Sequence, residues 1–223
     1  MKSLKSLLAA CVLISGCNGM STAFVKDPVK NQAFLVYSGA PLPMMLMGTA
    51  VQWNEDYAVT VKHLPYVSGS VFEGRGDVQF FRHKAAQAPQ WRQYQPGENV
   101  TAIGFNTFYI PTQGQGQTLK AMVRLDAKDG GVMYGTHTGS TVKGMSGGPV
   151  FAEDGDAVGI SVAYLDKSRL QDLKRADLSS QAQVSIFLPY AEINREWQRF
   201  TAQMQATEKR KPAPVGLSVA ASQ

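Results

Sequence analysis

Ser146 lies in Gly144-Met145-Ser146-Gly147-Gly148-Pro149, where glycines leave backbone N–H groups bare on both sides of one hydroxyl. The N–H groups of Gly144 and Ser146 can converge on a carbonyl oxygen attacked by that hydroxyl. Such an oxyanion hole supplies a large share of the rate in acyl transfer. Taken alone, the run is equally compatible with a glycine-rich hairpin. A serine nucleophile also needs a base, and the chain holds three histidines, His63, His83 and His137. All three precede Ser146.

Histidine order separates two architectures. Gly144-x-Ser146-x-Gly148 formally fits the nucleophile elbow of α/β-hydrolases, in which the histidine follows the serine. None follows here, so the elbow reading fails and the order His, acid, Ser remains. His63 ends the strand-like Tyr57-Ala58-Val59-Thr60-Val61-Lys62. Histidine ordinarily titrates near neutrality, and at the mouth of a strand it can face a cleft as a general base. Asp77 opens Val78-Gln79-Phe80-Phe81, where a carboxylate can orient that histidine. The blander readings are a loop histidine and the last residue of a Glu73-Gly74-Arg75-Gly76 turn. His83 and His137 read as surface or turn histidines. No short His/Cys/Glu ligand spacing exists, so neither a metal nor a cofactor is expected.

Short runs rich in β-branched and aromatic residues must position these groups. They are Phe34–Tyr37, Tyr57–Val61, Val78–Phe81, Val100–Ile103, Leu119–Val123, Val158–Val162 and Val184–Leu188, bounded by Gly, Pro, Asn or Asp. That pattern predicts an all-β chain of antiparallel strands in two barrel-like halves. One helix is predicted from Pro189 to about Met204, because Ile193, Trp197, Phe200 and Met204 share a face. That face is expected to pack on the second barrel. Asp166–Gln183 is polar and reads as a long surface loop.

The start of the chain bears on where it works. Lys2 and Lys5 precede an apolar run, Leu7–Ile14, too short to span a bilayer. Ile14-Ser15-Gly16-Cys17 then resembles a bacterial lipoprotein signal, in which the cysteine is lipidated and becomes the mature N-terminus. Cys11 lies in the removed segment, so Cys17 is the one mature cysteine and no disulfide within the mature chain can form. Acyl chains on Cys17 would tether the protein to a membrane without a spanning helix. Asn18, by analogy with lipoprotein sorting, favours the outer membrane; the chain is read as exported, facing the periplasm or the cell surface. Removing the leader lowers the formal charge from +5 to +3, too weak a bias to call for nucleic acid. The expected organisation is a signal peptide (1–16), a lipidated tether (17–30), one folded domain (31–205) and a disordered tail (206–223).

Most of the mature region resembles the bacterial trypsin-like serine proteases of the chymotrypsin fold. Gly48-Thr49-Ala50-Val51 with Tyr57–His63 is similar to that family's histidine segment, and Gly76–Phe81 to its aspartate segment. Ile103-Gly104-Phe105 resembles the opening of its second barrel. Thr138–Phe151 with Val158-Gly159-Ile160 resembles its nucleophile hairpin and the strand after it. The resemblance implies two antiparallel six-stranded-type barrels with a cleft between them and a C-terminal helix. It makes His63 the base, Asp77 the orienting acid and Ser146 the nucleophile, with Gly144 and Ser146 N–H as the oxyanion hole. Ser140, Thr141 and Val142 would line one side of the primary pocket and Ser161, Val162 and Ala163 the other, favouring an uncharged side chain. Lys143 reads as an exposed lysine.

Two departures from the family pattern carry consequences. His63 and Asp77 are unusually close in sequence, which implies a shortened first barrel and makes Glu73 or Asp56 a substitute acid should Asp77 not reach. Met145 stands where digestive relatives place an aspartate that pairs with a freed N-terminus, so that mode of activation is not expected. The function implied is a membrane-anchored serine endopeptidase acting on envelope proteins. The alternative is an inactive lipoprotein of the same fold, used as a binding or scaffold module.

Overall fold

The computed structural model describes residues 20–21, 33–39, 46–125, 130–172 and 174–209. Cys17 and Asn18, the leader, most of the tether and residues 210–223 lie outside them. Twelve strands are described: β1 Met20–Ser21, β2 Ala33–Tyr37, β3 Met47–Gln52, β4 Tyr57–Thr60, β5 Ser70–Glu73, β6 Gln79–Arg82, β7 Asn99–Phe105, β8 Pro111–Val123, β9 Tyr134–His137, β10 Pro149–Ala152, β11 Ala157–Asp166 and β12 Gln183–Pro189. Helices α1 (Lys167–Asp172) and α2 (Tyr190–Lys209) complete the list with a 3₁₀ turn at Ala176–Leu178.

The two halves differ in closure. β8-β7-β10-β11-β12-β9 form an antiparallel sheet that β8 closes by pairing with β9, giving a six-stranded barrel. β8 manages this because it is 13 residues long. Its first half pairs with β7 and its second half with β9, and β1 from the predicted tether adds to its edge. The first half is an open five-stranded sheet, β2-β3-β4-β6-β5, rather than the second barrel expected. Between β4 and β6 the chain forms only the four-residue β5; among the described residues no sixth strand lies between β5 and β2, whose ends meet only through the isolated bridge between Ser38 and Val67.

An open sheet exposes an apolar face unless something covers it. α2 provides the cover. Its Trp197 and Phe200 pack edge-on to Tyr57 and close to Phe80 of the first sheet, with ring centroids 5.1–6.4 Å apart. Tyr190 stacks on Trp53 at 5.9 Å. The helix therefore leaves the barrel strand β12 and lays its aromatic face on the opposite half, not only on the barrel as predicted. The apolar core consequently runs without a break from Val51, Val59 and Phe80 through Ile193 to Ile160 and Leu188. The helix also runs to Lys209, through Ala206, Glu208 and Lys209, where the tail was expected to begin. These are good helix formers that continue the preceding turns. Asp166–Gln183 is more ordered than its polarity suggested, because Leu170 of α1 and Leu178 are buried anchors. Among the described residues no helix is long and apolar enough to cross a membrane.

Two histidines depart from their predicted surface positions. His83 is half-buried, stacked on Phe34 and hydrogen-bonded to Gln52. His137 is fully buried on β9 against Phe187, and neither ring nitrogen has a partner among the described residues. Burial lowers its pKa from 6.5 to about 4. The folded state therefore holds fewer protons than the unfolded state between those values, so stability is lost as pH falls through that window. Urea unfolding should show a loss of about 2 kcal/mol between pH 7 and pH 5 from this group. His137→Leu should flatten that slope; an unchanged slope would assign the acid sensitivity to other residues.

Candidate active site

His63 follows β4 and Asp77 precedes β6, and these neighbouring strands bring them together. The His63 Nδ1 to Asp77 Oδ2 distance is 2.5 Å, and the His63 backbone N–H donates to Asp77 Oδ1 at 2.9 Å. The short β5 hairpin spans the whole interval. Glu73 and Asp56 show no bond to His63 and stand elsewhere, Glu73 on β5 and Asp56 in the turn before β4. The imidazole is half open to solvent, with 51% of its side chain exposed against 15% for Asp77. A sheltered carboxylate behind an accessible ring is the geometry for orienting a base.

Both halves of the molecule fix the Asp77 turn. Tyr134, fully buried on barrel strand β9, accepts the Asp77 backbone N–H through its hydroxyl at 3.0 Å. Glu196 of α2 is 3% exposed and accepts the Arg75 backbone N–H at 2.9 Å. Sequence reading missed both residues; each lies far along the chain from the turn it holds.

The loop that carries Ser146 joins β9 to β10 on the barrel. Val142–Met145 is a β-turn closed by the Met145 N–H to Val142 carbonyl bond at 3.1 Å, with Gly144 at φ +96°. Positive φ at the third position makes it a type II turn, which turns over the Lys143–Gly144 peptide and favours glycine there. Space demands glycine as well, since a Cβ on Gly144 would lie 2.5 Å from the Phe105 carbonyl oxygen. The N–H groups of Gly144 and Ser146 find no acceptor among the described residues. Met145 is fully buried among Val100, Ala102, Val150 and Phe187, so apolar packing holds the loop in place of an ion pair.

Ser146 Oγ donates to the Val162 carbonyl at 3.2 Å. A β-bulge between Ser161 and Ala163 leaves Val162 unmatched in the β11–β12 ladder. Ser146 stands between two clefts. One, of about 200 Å³, contains His63, Leu46, Leu64, Lys143 and Gly144. The other, of about 250 Å³, is lined by Thr141, Val142, Ser161, Val162, Ala163 and also Lys143, Met145 and Tyr164. Ser140, predicted with the pocket residues, is not on its wall; its backbone packs against Gly114. Among the described residues no group of three His, Cys, Asp or Glu side chains gathers as a metal site.

Residues 77–160 match the trypsin-like peptidase domain. The matched span includes Asp77 and Ser146 and starts after His63. No curated protein matches the chain by sequence. Among solved structures, the active form of the Rv3671c protease from M. tuberculosis is similar, with 17% identity and a TM-score of 0.59. That likeness covers 89% of this chain and 91% of the other. The HtrA-type protease AlgW with a tripeptide is 17% identical over 80% of this chain and 62% of its own length, with a TM-score of 0.59. The serine endoprotease from Yersinia pestis is 16% identical over 78% of this chain and 64% of its own, with a TM-score of 0.58. The closed barrel, open sheet and C-terminal helix are therefore a chymotrypsin-like fold.

Thr49, a fully buried residue of β3, joins the two halves at the site. Its hydroxyl donates to the Gly144 carbonyl at 2.8 Å and accepts the Phe105 N–H at 3.0 Å. Thr49→Val should cost about 2 kcal/mol of stability in urea unfolding, because two half-buried backbone groups lose their partner. Thr49→Ser, which keeps the hydroxyl, should stay within about 1 kcal/mol of wild type. Equal losses in both variants would show that the methyl packing, and not the hydroxyl, carries the effect.

Proposed function

We propose that the chain is a serine endopeptidase with Ser146 as nucleophile, His63 as general base and Asp77 as the acid that orients it. The observation that carries this reading is the 2.5 Å contact between His63 Nδ1 and Asp77 Oδ2, which leaves Nε2 for the cleft containing Ser146. Ser146 Oγ rotates from the Val162 carbonyl toward His63 Nε2 and attacks the peptide carbonyl as His63 takes its proton. The vacated Val162 carbonyl then accepts a substrate N–H. Negative charge developing on the attacked oxygen meets the N–H groups of Gly144 and Ser146, which have no acceptor among the described residues. His63 returns the proton to the leaving amine, and water hydrolyses the acyl-enzyme by the same route.

The leader and Cys17 support placing this activity on a lipid-tethered protein of the bacterial envelope, with envelope polypeptides as substrates. One observation favours the second reading, a non-catalytic module: the Ser146 hydroxyl is bonded to Val162 rather than to His63. A fluorophosphonate probe separates the two. It should label Ser146 in the folded wild-type chain and fail with Ser146→Ala, and an unlabelled wild type would establish the module. Ser146→Ala should lower turnover by about 10⁶-fold. Asp77→Asn should lower it by about 10⁴-fold, because the wrong imidazole tautomer is then held.

A further inference from the structure

The pocket beside Ser146 contains an unusual arrangement of protons. Ser161 is 2% exposed, lines the pocket from β11, and its hydroxyl has no partner among the described residues. Ser185 of β12 donates its one hydroxyl proton to the Gly139 carbonyl at 2.6 Å. Ser185 Oγ also lies 2.9 Å from Thr141 Oγ1. With the Ser185 proton already committed, Thr141 must be the donor in that pair. Thr141, on the facing wall, then has only lone pairs left, while Ser161 keeps both a proton and lone pairs.

We infer that this pocket selects a side-chain carboxamide, glutamine or asparagine, in the residue whose carbonyl Ser146 attacks. The inference rests on the endopeptidase reading and gives it a substrate class. A carboxamide presents a donor and an acceptor on separate atoms, matching the Thr141 acceptor and the Ser161 donor. A carboxylate of the same shape presents acceptors alone and confronts Thr141 with lone pairs. Lys143 could favour a carboxylate, but its ammonium is exposed and sits where both clefts meet. Solvent screening weakens it there. An aliphatic side chain would leave the Ser161 hydroxyl buried and unpaired, which is the situation that gives polar sites their discrimination. At about 250 Å³ the cleft also has room beyond a lone hydroxymethyl.

The test uses one peptide sequence with Gln, Asn, Glu, Leu or Thr at the attacked residue, assayed on the unlabelled full chain, a separate sample of which is shown to label at Ser146 with a fluorophosphonate. Gln or Asn should exceed Glu, Leu and Thr in kcat/KM by about tenfold or more. The two amides report the reach of the pocket. Ser161→Ala should reduce the amide-to-Leu ratio by about tenfold, a readout that general loss of stability would not move. Calorimetric binding of the Gln and Glu peptides to Ser146→Ala should show the same order without turnover. An enzyme whose separate sample labels but which prefers Glu, Leu or Thr, or a ratio unmoved by Ser161→Ala, overturns the carboxamide assignment and leaves the endopeptidase standing. A chain that neither labels nor binds these peptides overturns both.

Discussion

Thr49 commits all of its polar atoms at the seam between the open sheet and the barrel. Its N–H donates to the Ser146 carbonyl at 2.8 Å, its carbonyl accepts the Thr60 hydroxyl at 2.7 Å, and its own hydroxyl bridges Gly144 and Phe105. His63 belongs to one half and Ser146 to the other, so any slip along this seam separates the proposed base from the proposed nucleophile. The Thr49 bonds restrict that slip at the residues that matter. They fix the Gly144–Met145 peptide, which lies between the two peptides whose N–H groups would form the oxyanion hole. They also explain why Gly147 is glycine: a Cβ there would fall 2.1 Å from the Thr49 carbonyl oxygen.

The second constraint across the halves acts on Asp77. The interval between His63 and Asp77 is short enough that β5 alone must return the chain, and so small a hairpin cannot hold a carboxylate by itself. Tyr134 from the barrel and Glu196 from α2 supply what is missing, each accepting a backbone N–H in the Asp77 turn. The same helix covers the face that an unclosed sheet would expose. Loss of a first-barrel strand and recruitment of the C-terminal helix are two sides of one arrangement, since aromatic burial by Trp197 and Phe200 stands in for sheet closure.

Local pattern made the strands and the helix legible. Short runs of β-branched and aromatic residues marked β2, β4, β6, β7, β11 and β12, and apolar spacing marked α2. What pattern could not give was closure, because whether a sheet's edges meet depends on partners distant in sequence. The long β8 pairs with three strands, and nothing in Pro111–Val123 announces that. The candidate site residues stood out where chemistry demands a residue type, as with Ser146 and its glycines. Thr49, Tyr134 and Glu196 were not, since each acts through a partner 50 to 125 residues away. His137 misled for the same reason: a polar residue beside Thr138-Gly139 reads as a turn until Phe187 is seen packed against it.

The bulge at Val162 gives the resting site its internal logic. A regular ladder would direct the Val162 carbonyl at β12; the extra residue releases it, and it captures the Ser146 hydroxyl instead. A serine held this way is turned away from His63 while its proton is satisfied. Under the endopeptidase reading, a peptide backbone that pairs with the same carbonyl removes that alternative partner just as it brings its own carbonyl to the Gly144 and Ser146 N–H groups. Substrate binding and release of the nucleophile are then one event. The geometry needs no freed N-terminus for this: Met145, packed in the barrel core, already holds the type II turn in the form that leaves the Gly144 N–H unpaired.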